Sequence, residues 1–244
     1  MAKLPALIRT APHIERRIHE ALTDESRKPS ERDGRLGLSQ LGDCERNLWA
    51  GMNGIPEDKE IEPRILVLFK HGHAVEAHVI DLMRTAGLNV LDRDPKTGEQ
   101  FTVEDFNGKL AGHIDGLVEC GKNGFLLLEV KSASEKKFDE LLAAGYEAWN
   151  PKYAAQLQAY MGYFKLDDSL AVVYEKNTSR IHAEKVRFDP VRFGELHAKA
   201  KRVVTSTEVL PKPPEAKSRY CAFCKYCSRG DWCFSPLAGI TFDE

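Results

Sequence analysis

The run Phe125-Leu126-Leu127-Leu128-Glu129-Val130-Lys131 constrains this chain more than any other segment. It is short, apolar and bounded by the turn formers Gly121 to Gly124, which is the pattern of a buried strand. Side chains alternate along a strand, so Glu129 and Lys131, two apart, share one face. A carboxylate in so apolar a strand is costly unless a partner or a metal compensates it. Asp115 lies in the preceding apolar stretch, Leu110 to Glu119, and a hairpin through Cys120-Gly121-Lys122-Asn123-Gly124 brings the two stretches together. Two hard oxygen ligands and an ammonium on one face suit a divalent metal ion and an attacking water.

A chain of 244 residues can bury a sizeable core, as one large domain or one domain with an appendage. No stretch approaches the roughly 20 apolar residues that span a bilayer. Met1 to Thr10 is too short and irregular for a secretory signal, so the expected compartment is the cytoplasm, with no membrane association. Six cysteines in such a chain point to metal or cluster binding rather than disulfides. The net charge of −2 does not announce a nucleic-acid binder, but the charge is uneven. From Lys185 to Arg229 there are 11 Lys/Arg against 4 Asp/Glu. That excess either meets phosphates or is a solvated surface.

There is no internal repeat and no long low-complexity tract. Residues 11–28 are expected to be helical, Lys28 to Gly37 a polar linker, and Leu38 to Met52 a second short helical segment carrying Cys44. Pro63, suited to a first turn, opens a long helix to about Ala86, with Gly87 just past its end. Positions 65, 68, 69, 72, 75, 76, 79, 82, 83 and 86 form its inward stripe. Gly72 in that stripe costs about 1 kcal/mol relative to alanine in a helix interior, which suggests the close approach of another backbone. Glu76 is a carboxylate facing inward. Strands are expected near 88–92, 99–105, 109–118 and 125–131, then a helix over 135–148 and another opened by Asn150-Pro151 and running to Phe164. Gln156 and Tyr160, four apart, share a face of that helix. Strands at 170–175 and 180–188 precede a helix opened by Asp189-Pro190, and Pro211, Pro213 and Pro214 mark a break before the cysteine-rich tail. The fold class is α/β, a mixed central sheet flanked by helices. Its expected divisions are an N-terminal helix and linker (1–37), a core (38–205) and a cysteine-rich tail (206–244).

The candidate metal ligands are Asp115, Glu129 and the Val130 carbonyl, with Glu76 reaching in from the long helix, and the metal they suit is Mg2+ or Mn2+. Such an ion polarises a phosphate and lowers the pKa of an attacking water. Lys131 then orients the water or stabilises charge developing on phosphoryl oxygens, while Gln156 and Tyr160 line the floor and contact substrate or Lys131. The plainer alternative is a same-face ion pair of Glu129 with Lys131, with Asp115 an ordinary turn residue. Strand context, the inward Glu76 and the Gln156/Tyr160 helix together favour the metal site. His73, one turn from Glu76, is a fallback ligand.

The order Gly72…Glu76, Asp115, Glu129-Val130-Lys131, Gln156…Tyr160 resembles the PD-(D/E)XK nucleases of the RecB type, over roughly residues 38–235. The resemblance implies a restriction-endonuclease-like core with the metal at the open edge of its sheet, and DNA hydrolysis leaving a 5′-phosphate. Many such nucleases carry His where Glu76 stands, although Glu is also used there.

Cys221, Cys224, Cys227 and Cys233 crowd the tail, and Cys44 stands alone near the start. Four thiolates suit an iron–sulfur cluster or Zn2+, and chemistry alone does not choose between them; unligated thiols are a third reading. Cys224-x2-Cys227-x5-Cys233 with a distant N-terminal cysteine is similar to the pattern in RecB-type nucleases of the AddB and CRISPR-adaptation kinds. That similarity implies Cys44, Cys224, Cys227 and Cys233 as ligands of a [4Fe–4S] cluster. It leaves Cys221 as a surplus thiol that could displace a neighbour, and Cys120 as a free one. The cluster would act as a staple, closing a loop of about 190 residues.

Tyr153, Tyr160, Tyr163, Tyr220, Phe223 and Tyr226 lie near the candidate site or among basic residues, where aromatics suit stacking on unpaired bases. The resemblance favours single-stranded DNA entered from an end. It also implies phage recombination beside a strand-annealing protein, or CRISPR spacer acquisition beside adaptation proteins. No G-x-x-x-x-G-K-[ST] run is present, so ATP hydrolysis is not expected. Two rivals stay open: a non-catalytic DNA-binding module on a nuclease-like fold, and a zinc-stapled scaffold acting on RNA or proteins.

Overall fold

Two sheets, rather than one, organise the chain. The computed structural model describes residues 12–28, 34–121 and 124–235. The first eleven residues, the middle of the expected linker, Lys122 and Asn123 of the expected hairpin turn, and the end of the tail lie outside these. The elements in order are α1 (Pro12–Ser26), β1 (Leu36–Gly37), a 3-10 turn (Leu38–Gln40), α2 (Glu45–Met52), α3 (Pro63–Thr85), β2 (Val90–Leu91), β3 (Thr102–Asp105), β4 (Leu110–His113), β5 (Gly116–Cys120) and β6 (Gly124–Ala133). There follow α4 (Glu135–Ala144), α5 (Tyr146–Trp149), α6 (Pro151–Phe164), β7 (Asp168–Glu175), β8 (Ile181–Arg187), α7 (Pro190–Thr205) and α8 (Gly230–Phe234). The central sheet runs β2-β5-β6-β7-β8, and a smaller one runs β1-β4-β3. Both are mixed: β6 and β7 are parallel, as are β1 and β4, and the other pairs are antiparallel. The parallel pair needs a long crossover, which α4, α5 and α6 supply.

Helix starts follow their local chemistry. Asn150 Oδ1 accepts the Lys152 and Tyr153 backbone N–H groups at 3.1 and 3.4 Å, with Pro151 in the first turn. Asp189 Oδ1 does the same for Val191 and Arg192 at 2.9 and 3.2 Å. Three expectations need correction. The single strand over 109–118 is two strands that part at Ile114-Asp115 and belong to different sheets. The chain makes this passage at close quarters. A Cβ at Gly116 would stand 2.8 Å from the Leu91 carbonyl oxygen, and one at Gly112 would stand 2.7 Å from both Leu38 Cβ and Tyr160 Oη. The helix over 135–148 breaks at Gly145, whose φ of +78° an L side chain rarely adopts. Finally, among the described residues outside its own helix turn, nothing lies within 4 Å of a Cβ built on Gly72, so the expected close backbone is not found there.

Helix α3 covers one face of the central sheet. Val75, Val79, Ile80 and Met83 bury against Val118, Leu128, Val130 and Val172. The expected stripe fails toward its N-terminus, where Leu68 and Phe69 are exposed. That end packs on α1, joined by a Lys70–Glu25 ion pair at 2.8 Å, instead of crossing the strands. The other sheet face carries the larger core: Leu127, Ala171 and Val173 pack with Ala155, Leu157 and Ala159 of α6, Trp49 of α2 and Val203 of α7. Lateness in the sequence does not leave the tail loose. Asp58 accepts the backbone N–H groups of Asp231 and Trp232 at 2.8 and 3.3 Å and pairs with Arg219, and Arg229 Nε donates to the Ile55 carbonyl at 2.6 Å. The Arg46 guanidinium lies 4.9 Å from the centre of the Trp232 ring. Among the described residues no helix is long and apolar enough to cross a membrane.

Candidate active site

The parting of β4 from β5 builds the site. Gly116 is the last β5 residue paired with β6, opposite Leu128. Beyond it, the Val130 N–H has no ladder partner on that side, and the Asp115 carboxylate accepts it at 2.7 Å. Within a strand the N–H and C=O of one residue point the same way, so the Val130 carbonyl also faces the side that β5 has left. Asp115 is thereby held beside Glu129 without being part of a strand.

Glu129 is completely buried. Its Oε1 meets the Lys131 ammonium and accepts from Gln156 Nε2 at 2.7 Å. Its Oε2 is buried and, among the described residues, has no hydrogen-bond partner. Sequence spacing places Gln156 on the correct face, but its partner is Glu129, not Lys131. Lys131 instead sits 4.9 Å from the ring centre of Tyr153, one turn before Gln156 on α6. The Tyr160 hydroxyl lies under Gly112 and Leu38 in the larger core. Tyr146, unremarked in the sequence, is fully buried with a hydroxyl that has no partner, and its ionisation is opposed by burial and then by Glu129. The helix break at Gly145 brings it there, so no periodicity could have singled it out.

The charges explain each other. Burial pushes Glu129 up to about 7; Lys131 opposes that shift and Asp115 adds to it. Glu76 also rises to about 7, from burial and then from Asp115. Burial raises Asp115 too, against the pull of Lys131, the Val130 N–H and His73. Burial disfavours the Lys131 ammonium, yet Glu129 and Asp115 outweigh it and hold the proton on more firmly than usual. Three carboxylates thus share one ammonium, and when all are ionised the cluster is two positive charges short. Among the described residues no three His, Cys, Asp or Glu side chains stand as a preassembled metal-holding group. The fit of a divalent cation rests on that charge deficit and on the unpartnered Glu129 oxygen.

A pH dependence follows with a definite sign. Glu76 and Glu129 titrate near 7 when folded, above the ordinary carboxylate range, so the folded state holds protons that the unfolded chain has released. Their contribution therefore weakens as pH rises toward and through 7. In EDTA, the Tm is expected to fall by about 2–8 °C from pH 5.5 to 8, and Glu129→Gln is expected to flatten the decline. A Tm that rises over this interval would contradict the assignment.

The tail thiols also influence one another. Burial pushes Cys224 up to about 12, with Cys221, Cys227 and Cys233 adding to the shift. Cys227 is raised by burial and by Cys44 and Cys233, against a hydrogen bond from the Arg229 backbone. The four cysteines named from the resemblance are therefore electrostatic neighbours across the chain. Cys221 is also a close neighbour of Cys224, hydrogen-bonded to it, and donates its S–H to the Glu215 carbonyl at 3.4 Å; Cys120 is exposed at the end of β5.

A family model described as the PD-(D/E)XK nuclease superfamily matches residues 9–234. Among solved structures, an alkaline exonuclease from Laribacter hongkongensis (LHK-Exo) is similar, with TM-score 0.52 and 15% identity over 76% of this chain and 90% of that one. The same exonuclease in complex with dAMP gives TM-score 0.52 and 17% identity over 71% and 87%. SSO0001 gives TM-score 0.52 and 13% identity over 93% of this chain and 98% of that one. No curated protein matches the chain.

Proposed function

The chain belongs to the PD-(D/E)XK nuclease superfamily, and from that premise we propose that it is a metal-dependent deoxyribonuclease, an exonuclease that prefers single strands. The observation that supports this most is the cluster of half-buried Glu76 and Asp115 with fully buried Glu129, two charges short, with an unpartnered Glu129 oxygen among the described residues. Mg2+ or Mn2+ held by these three carboxylates and the Val130 carbonyl would polarise the scissile phosphate and lower the pKa of the attacking water.

The remaining roles belong to the chain's own groups. Lys131 stays protonated, so it acts as a donor to charge developing on the phosphoryl oxygens and not as a base. Gln156 and Lys131 both engage Glu129 Oε1, which orients the carboxylate and leaves Oε2 free. The Tyr153 ring beneath the ammonium restricts where Lys131 can swing. Tyr160 contributes by packing against Gly112, three residues before Asp115, so its part is positioning. In the tail, Cys44, Cys224, Cys227 and Cys233 are proposed to hold a [4Fe–4S] cluster, with Zn2+ the alternative. Exonuclease action accords with the similarity to LHK-Exo, an alkaline exonuclease. Roles in phage recombination or CRISPR adaptation, beside an annealing or adaptation protein, rest on the sequence resemblance.

The test uses end-labelled single-stranded and duplex DNA with Mg2+, Mn2+ or EDTA. Metal-dependent release of short products, faster from single strands, is expected, and circular single strands should resist. DNA binding without cleavage in either metal, or cleavage undiminished by EDTA, would refute the proposal.

A further inference from the structure

The tail has a three-residue period that the nuclease chemistry does not use. Tyr220-Cys221-Ala222-Phe223-Cys224-Lys225-Tyr226-Cys227 repeats an aromatic followed by a cysteine. The backbone folds it into successive tight turns: Cys221 N–H donates to Ser218 O, Cys224 N–H to Cys221 O and Cys227 N–H to Cys224 O, at 3.2, 3.0 and 3.0 Å. Turns of this i to i−3 kind place every third side chain on one side. Cysteines 221, 224 and 227 take the inner side, with Cys224 buried. The aromatics are consequently turned out. Tyr220 is 85% exposed, Tyr226 87% and Phe223 50%. Rings of this size are seldom left in water in a row without an occupant.

Their surroundings select the occupant. Lys212, Lys217 and Lys225 are exposed, and none forms an ion pair among the described residues. The Lys225 ammonium lies 5.3 Å from the Tyr226 ring centre, and Lys212 lies 4.3 Å from that of Phe234. Flat rings interleaved with unpaired ammonium groups match a strand of stacked bases and phosphates, whereas an apolar protein partner would leave those charges without counterparts.

We infer that Tyr220, Phe223 and Tyr226, with Lys217 and Lys225, form a binding platform for single-stranded DNA separate from the hydrolytic cluster. This deepens the nuclease reading and rests on it for the choice of DNA. Binding of labelled oligothymidylate is measured by fluorescence anisotropy in EDTA, where nothing is cleaved. Tyr220→Ala/Tyr226→Ala is expected to weaken binding about tenfold or more, with the salt dependence unchanged, since a stacked base contributes one tenfold factor or more. Lys217→Ala/Lys225→Ala is expected to lower the slope of log affinity against log salt by about 1.4, at about 0.7 for each phosphate that is no longer neutralised. Tyr226→Phe should retain binding, and Tyr226→Ser, at a side chain that packs on little, guards against a folding artefact. Unchanged affinity in the tyrosine variants, equal loss on blunt duplex, or no binding by the wild type would overturn the platform. Ring-dependent binding with no metal-dependent cleavage would leave the platform standing and remove the nuclease; cleavage with ring-independent binding would do the reverse.

Discussion

Replacing Lys131 with alanine is expected to lower DNA cleavage about 10²- to 10³-fold, the loss seen when one preorganised donor to developing charge is removed. The argument starts in the strand. Glu129 and Lys131 share a face of β6, and the ammonium is bounded by Glu129 Oε1 and the Tyr153 ring. It is the ammonium that Glu76, Asp115 and Glu129 share, and Glu129 and Asp115 keep it protonated although burial disfavours it. Without it, Glu129, already near 7, binds its proton more tightly. That proton would compete with a divalent ion for Glu129, so the rate profile should also move to higher pH. Lys131→Arg should not restore activity, because a planar fork cannot occupy the place of a compact ammonium between a carboxylate oxygen and a ring. Initial rates on end-labelled single strands, measured across pH with Mg2+ on proteins of matched Tm, decide the matter. A wild-type rate in Lys131→Ala would remove this residue from the chemistry.

The second large effect is expected in the tail. Cys44→Ser or Cys224→Ser should abolish the iron content that the proposed cluster would give, and should lower the Tm by about 10 °C. Cys44 precedes α2, and its ligand partners lie at the far end of the chain, so the proposed cluster closes a very long loop. Covalent closure of such loops stabilises by on the order of 5 kcal/mol. Part of the tail's anchoring is independent of the cluster: Asp58 holds Arg219 and two α8 N–H groups, and Arg229 binds the Ile55 carbonyl. The variants should therefore lose stability and expose the tail to protease without unfolding the core. Metal analysis by mass spectrometry with a melting curve is sufficient. Full iron content and an unchanged Tm in Cys44→Ser would exclude that cysteine as a ligand, and zinc in place of iron in the wild type would select the alternative.

The same tail shows how a local pattern can be visible without its meaning. The aromatic residues stand out in the sequence as candidates for stacking, but Tyr160 and Tyr220 look alike there. In the structure Tyr160 is buried beneath Gly112, while Tyr220 is exposed because the turn that buries Cys224 leaves the aromatics no inner side. Gly72 makes the opposite point. A glycine in a helical stripe suggests a close neighbour, yet among the described residues none stands within 4 Å of where its Cβ would be.

Some properties followed from the chain's local order alone. Strand alternation put Glu129 and Lys131 on one face, and the Pro63, Asn150-Pro151 and Asp189-Pro190 signals set the starts of α3, α6 and α7. These depend on backbone geometry over a few residues, which the sequence specifies directly. Tertiary structure decided what those faces meet: that β4 and β5 part at Asp115 so its carboxylate takes the Val130 N–H, that Gln156 reaches Glu129, and that Tyr153 lies against Lys131. Each of these depends on where α6 crosses the sheet and how the two sheets join. That placement is settled by packing among residues far apart in the chain, and no local period records it.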